Sequence, residues 1–171
     1  MDSTTIREIP PLHYAWSPIG VQTLVPLIGS HAKRVLSTVI NLRSGDQLSH
    51  VTPAFAQTDF QELLRLTRAH WRGWKIILFL DRASPHTAYR SVALAKSLNI
   101  QLRWLPTACP ELNIVDCFWR HIKYEVLANE PTPTLAAAVQ RAVDYIAELT
   151  PHQRLQKAGV FSDNFWLARL L

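Results

Sequence analysis

The chain alternates between short apolar runs of strand length and longer stretches with helical periodicity. Ile76–Leu80 is entirely apolar, as is typical of a central strand covered on both faces. Ser44-Gly45-Asp46 is a turn signal between two further runs, which predicts a hairpin. The pattern predicts strands at 21–27, 35–42, 47–51, 76–80 and 100–105, and helices at 58–71, 87–98, 112–128 and 135–149. This order indicates an α/β fold.

A carboxylate follows the central strand directly. Asp81 comes after Leu80, and ligands bind at the C-terminal ends of strands in open α/β sheets. Asp is also a favoured N-cap residue, so Asp81 is equally well explained as a cap of the next helix.

A second carboxylate lies in the first turn of the predicted helix 112–128. Val115, Phe118, Trp119 and Ile122 follow helical spacing and define the buried face, with Trp119 interpreted as core. Asp116 lies at the margin of that face, and an acid in a first turn also suits the helix dipole. The pattern leaves both a functional and a dipole-stabilising role open.

Composition narrows the class without assigning a function. The 171 residues include 48% hydrophobic and 18% charged residues, as expected of a folded domain. The net charge of +5 suits a polyanionic partner. Cys109 and Cys117 match no zinc pattern and are interpreted as free thiols. No apolar run approaches the roughly 20 residues that span a bilayer, and no signal peptide is recognisable, so a soluble, cytoplasmic protein is expected.

Two segments carry a family resemblance. LDRASPH (80–86) and LPTACPELNIVDCFWRHIK (105–123) resemble the second and third acidic motifs of DDE-superfamily transposases, in the mariner-like group of bacterial insertion sequences. The 34 residues between Asp81 and Asp116 match the mariner-like spacing. The chain departs from the pattern at Arg82, where Asn is usual, at Ile114, where Pro is usual, and in having Asp rather than Glu as its third acid. A cation at Arg82 would compete with metal.

The N-terminus extends the resemblance. Pro10, Tyr14, Trp16 and Gly20 match the residues that follow the first acid in the family, which aligns Asp2 with that acid. Ser3 replaces the usual Glu. No strand precedes Asp2 in this sequence, so the chain is expected to lack its first strand and to be the truncated C-terminal part of a longer transposase. A frayed, functionless start is the alternative.

The resemblance implies a ribonuclease H-like mixed sheet flanked by helices, and a chemistry of DNA strand cleavage and transfer. Asp2, Asp81 and Asp116 would be the catalytic acids and would hold Mg²⁺ or Mn²⁺, with Asp81 bridging the ions. His86 would contact DNA or support Asp81, whereas Arg120 and Lys123 would contact DNA phosphates; all three also have plain structural explanations. The implied partners are transposon ends and target DNA, with a homodimer in the full-length form acting at the bacterial nucleoid.

Two functions from different classes follow. The first is a transposase catalytic domain at residues 1–128, with a helical extension at 129–171 packed on it. The second is an inactive remnant or interaction module that keeps the fold but not the chemistry.

Overall fold

Three antiparallel strands open the chain in the computed structural model, which describes residues 1–27 and 29–167. They are β1 (Asp2–Arg7), β2 (Lys33–Ile40) and β3 (Gln47–Thr52), with β2 in the middle. A separate parallel pair comprises β4 (Ile76–Leu80) and β5 (Ile100–Trp104). The backbone nitrogen of Met1 donates to the carbonyl oxygen of Phe79 at 2.8 Å, so the start of β1 lies against β4.

The expectation that the first strand is missing is wrong. Asp2–Arg7 forms β1, which pairs along its whole length with residues 33–38 of β2. Thr4 and Ile6 are buried while Thr5 and Arg7 are exposed, which is the two-residue alternation of a half-buried strand. The sequence interpretation missed this because it expected the strand before Asp2, whereas the strand begins at Asp2 and includes β-branched residues that suit a pleated surface.

Six α-helices, one 3₁₀ turn and one π-helical turn complete the described part of the chain. The N-cap of helix α1 is Ala56, two residues before the predicted cap, because the Asp59 carboxylate accepts from the Ala56 N–H at 3.0 Å. The predicted helix 87–98 is divided by Ala88, whose ψ of 133° is extended. The bounds are α1 (Gln57–His70), α2 (Ser84–Thr87), α3 (Tyr89–Ser97), a 3₁₀ turn (Pro110–Leu112), α4 (Ile114–His121), a π-helical turn (Ile122–Val126), α5 (Leu135–Glu148) and α6 (Pro151–Lys157).

Another correction concerns residues 21–27, which were predicted to form a strand. They adopt no regular structure, and the apolar side chains of Val21, Leu24 and Leu27 are more than half exposed. Among residues 1–27 and 29–167, no strand pairs with this segment, so its β propensity has no ladder to join. The hairpin of β2 and β3, the strands β4 and β5, and the Thr134 cap of α5 are confirmed.

Each face of the strands has its own hydrophobic core. The first core joins β1 and β2 to α4, α5 and the C-terminal segment, and it contains Trp119 at 1% exposure, which confirms the core interpretation of this residue. The second core joins β4 and β5 to α1 and α3. Residues beyond 128 therefore share a core with the sheet, while the division into two domains at that point stays a prediction.

The C-terminal helices are also fastened by one polar cluster. The Glu125 carboxylate accepts from Lys157 Nζ at 2.8 Å and from the Tyr145 hydroxyl at 2.8 Å, and its other oxygen lies 2.7 Å from His121 Nδ1. These bonds tie the π-helical turn to α5 and α6. Among the described residues, no helix has both the length and the apolar composition to cross a membrane.

Candidate active site

Asp81 lies where β4 ends, in a turn that its own side chain organises. Its Oδ1 accepts from the Ala83 N–H at 3.1 Å and lies 2.7 Å from His86 Nδ1. The N-cap of α2 is Ala83, so Asp81 is not the cap itself. The side chain remains 54% exposed, which leaves its second oxygen open to solvent. Asp81 is thus oriented by two donors and still accessible to a ligand.

His86 is buried, and this contradicts the predicted DNA contact. Only 1% of the residue is exposed, and its ring packs against Phe55 and Phe60 at centroid distances of 5.2 and 4.5 Å. Burial lowers the pKa of His86, although the charge of Asp81 opposes this shift. A neutral ring carries one proton, which must be on Nδ1 to be donated to Asp81. The alternative prediction, that His86 supports Asp81, describes what the structure contains.

Asp2 opens β1 and faces the same region. A cavity of about 120 Å³ is lined by both Asp2 and Asp81, together with His86 and Phe55. The pKa of Asp2 is raised to about 6, first by burial and further by the negative charges of Asp81 and Asp116. Asp81 and Asp116 therefore both act electrostatically on Asp2.

Asp116 reaches this region from α4, whose start is set by Asn113. The Asn113 Oδ1 accepts from the Val115 N–H at 3.3 Å, as expected of an N-cap, and its Nδ2 donates to the Met1 carbonyl at 3.4 Å. A single buried side chain thereby links the helix that carries Asp116 to the residue before Asp2. This bond joins residues that are 112 positions apart, which the sequence alone does not reveal.

The donor set suits a hard divalent cation, but it is not assembled as a closed site. Carboxylate oxygens are the ligands that Mg²⁺ and Mn²⁺ prefer, and like-charged acids gain most from such a cation. Across residues 1–27 and 29–167, however, no three His, Cys, Asp or Glu side chains are grouped closely enough to hold a metal ion. Binding at these acids therefore requires their side chains to move closer together.

Three cations lie near the acids in sequence: Arg82, Arg120 and Lys123. Arg82 is exposed and, in the part of the chain described, forms no ion pair with Asp81 or Asp116, while its competition with metal stays a prediction. Arg120 is exposed near the end of α4, and Lys123 is half-buried in the π-helical turn. Their contact with DNA stays a prediction.

The family model of the DDE superfamily endonucleases matches residues 1–137. Among solved structures, the Mos1 transposase paired-end complex with left transposon end superposes with a TM-score of 0.75 at 15% identity, over 96% of this chain and 52% of that chain. The Mos1 mariner paired-end complex with Mn gives 0.73 at 16% identity, over 92% and 50%.

A third structure, the catalytic core domain of BIV integrase, gives a TM-score of 0.50 at 19% identity, over 73% of this chain and 87% of that chain. These likenesses confirm the ribonuclease H-like α/β fold. The chain spans about half the length of the Mos1 chains. The search of curated proteins found no match. By its match over most of its length, the chain belongs to the DDE superfamily endonucleases.

Proposed function

We propose that this chain is a transposase catalytic domain that cleaves and transfers DNA strands with divalent metal ions. The observation that carries the proposal is that three acids from separate elements influence one region electrostatically, although within the described residues their side chains are not grouped as a ready-made metal site. Asp2 comes from β1, Asp81 from the end of β4, and Asp116 from α4, and the pKa of Asp2 is raised by burial and then by the charges of the other two. Mutually repelling acids in a cleft are typical of functional sites.

The chain's own residues supply position and charge. Asp2, Asp81 and Asp116 would hold Mg²⁺ or Mn²⁺, which when bound would activate the attacking hydroxyl and stabilise the leaving oxygen. His86 fixes the rotamer of Asp81 through the 2.7 Å contact with its Oδ1, and Asn113 fixes the start of α4. The Mos1 structures with Mn and Mg and with a transposon end support both the cofactor and the DNA partner.

Arg120 and Lys123 are proposed to contact DNA phosphates. Both follow Asp116 on the same continuous helical segment, and neither forms an ion pair within the described residues. A cation that neutralises one phosphate releases roughly one counterion, so the DNA-binding constant falls more steeply as the salt concentration rises. Replacing either residue with Gln should therefore weaken DNA binding equally for all sequences and reduce the salt dependence.

The test combines metal binding with strand cleavage. Mn²⁺ binding to the purified chain is followed by electron paramagnetic resonance, and nicking of supercoiled plasmid is measured in the same buffer. Asp81→Asn should abolish nicking, by about a thousandfold or more, and weaken Mn²⁺ binding. Asp144→Asn removes one carboxylate from the exposed side of α5 and should change neither.

A second candidate is a non-catalytic interaction module with the same fold. It is favoured by the separation of the acids, which form no ready-made metal group in the described residues. Under this alternative, Mn²⁺ binds equally to the wild-type chain and to Asp81→Asn, and neither nicks DNA. Metal binding that depends on Asp81 in the absence of nicking would instead identify a metal-competent domain that needs further parts for cleavage.

A further inference from the structure

We infer that the outer edge of β5 is a docking site for an extended acidic peptide, which adds there as a sixth strand. The site lies away from the acids: it is a groove of about 470 Å³ where the second core opens between β5 and α3. Lys75 directly precedes β4, and Lys96 lies in the last turn of α3. The positive charges of the groove are therefore at the N-terminal end of the parallel strands, whereas Asp81 follows their C-terminal end.

Some backbone N–H and C=O groups of β5 point away from β4. The Leu105 N–H donates to the Leu80 carbonyl at 2.9 Å, so Leu105 directs its backbone groups toward β4. Because backbone direction alternates along a strand, Leu102 and Trp104 direct their N–H and C=O groups away from β4. Within residues 1–27 and 29–167, no other strand pairs with this edge. An added strand would satisfy these groups.

Apolar side chains of β4, β5 and α3 line the groove beside this edge. In the register of the parallel pair, Ile76, Ile100, Leu102 and Trp104 share one sheet face, and all four line the groove. Val92 of α3 forms the opposite wall and is 40% exposed. A peptide strand at this edge would place alternate side chains in the groove, which favours apolar residues at every second position.

Charge selects the class of partner. The groove is lined by Lys75 and Lys96 and by no acidic residue, and in the described part of the chain neither lysine forms an ion pair. A second copy of this chain pairing antiparallel through β5 would bring residues 103–106 to Lys96, and that segment contains Arg103 and no acid. DNA would leave the apolar wall and the outward amides unmatched. An acidic peptide complements all three features.

The experiment measures binding of a fluorescein-labelled, blocked peptide that alternates Ile or Val with Ser and has two Glu at one end. Two versions with Glu at the N- or the C-terminus test both strand directions. Lys96→Glu should weaken binding of the acidic peptide about tenfold and should improve binding of a version with two Lys instead. Lys33→Glu makes the same charge change at an exposed end of β2 and should alter binding less than about twofold.

Leu102→Pro tests the backbone directly. It removes an outward N–H that the β4–β5 ladder does not use, and proline is tolerated on the solvent side of an edge strand. This variant should lose peptide binding while it keeps the circular dichroism spectrum of the wild type. If it does not fold, the binding of the Glu and Lys peptides to Lys96→Glu decides the question alone. The inference is overturned if neither peptide binds, if Lys96→Glu leaves binding unchanged, or if plasmid DNA displaces the peptide with the same Lys96 dependence. It is equally overturned if sedimentation shows self-association that Lys96→Glu abolishes.

Discussion

The carboxylates of Asp2 and Glu125 have opposite electrostatic surroundings. Burial and the charges of Asp81 and Asp116 raise the pKa of Asp2 to about 6. The pKa of Glu125 is lowered to about 2, mainly by hydrogen bonds from Lys157 and His121. The Glu125 carboxylate fastens helices together through the donors that surround it, whereas Asp2 lies near two like charges, as expected of its proposed role as a metal ligand.

The largest effect is expected at the repelling acids. Asp2→Asn should reduce DNA nicking about a thousandfold, because one proposed metal ligand is lost. In metal-free buffer at pH 7 the same change should raise the free energy of unfolding by about 1 kcal/mol, because a buried charge near two like charges is removed. Nicking assays and urea denaturation measure the two effects. A loss of both activity and stability would mean that Asp2 is a structural residue.

The support of Asp81 should have the next largest effect. His86→Ala removes a buried ring between Phe55 and Phe60 and should lower the free energy of unfolding by about 3 kcal/mol. It should also reduce nicking, because Asp81 loses the donor that orients it. His86→Asn keeps a donor near the position of Nδ1 and should retain more nicking activity than His86→Ala. Equal activity of the two variants would show that the ring acts only through packing.

A smaller effect is expected at the cap of α4. Asn113→Ala should lower the free energy of unfolding by about 1 kcal/mol and reduce nicking, because the helix that carries Asp116 loses its cap and its bond to the Met1 carbonyl. Thr134→Ala removes the equivalent cap of α5, where Thr134 Oγ1 accepts from the Ala137 N–H at 3.2 Å, and should cost similar stability without affecting nicking. Similar nicking losses in both variants would show that Asn113 acts only as a helix cap.

The smallest effect is the pH dependence of stability, to which Glu125 and Asp2 contribute with opposite signs. Glu125 has a depressed pKa, so its contribution to stability is present above about pH 4.5 and is lost as the pH falls toward about 2. Asp2 has a raised pKa, so its contribution falls as the pH rises from about 4 to 6. Glu125 is half exposed, and Glu125→Gln should cost less than about 1 kcal/mol.

Metal-free denaturation across this pH range checks both signs. The unfolding free energy of wild type minus that of Glu125→Gln should become more positive as the pH rises from about 2 to 4.5, whereas the same difference for Asp2→Asn should become more negative as the pH rises from about 4 to 6. Signed differences that both change in the same direction with pH would contradict the opposite surroundings of the two carboxylates.

Local pattern was sufficient for most of the secondary structure. The apolar run Ile76–Leu80, the hairpin of β2 and β3 and the helix with Asp116 at its start were predictable because burial period and turn residues are local signals. The predicted strand at 21–27 failed because strand formation requires a paired neighbour, which the sequence alone does not reveal. The role of His86 was also left open, because its spacing from Asp81 does not show whether the ring is buried.

The sequence by itself determined the family, the positions of the three acids and the elements that carry two of them, because motif spacing and hydrophobic period are properties of the chain. Only the tertiary structure decided that β1 exists, that His86 is an interior support, and that Asn113 connects α4 to Met1. It also decided the opposite pKa shifts of Asp2 and Glu125. Such properties depend on burial and on contacts between residues distant in sequence, as in the bond between Asn113 and Met1. No local pattern encodes them.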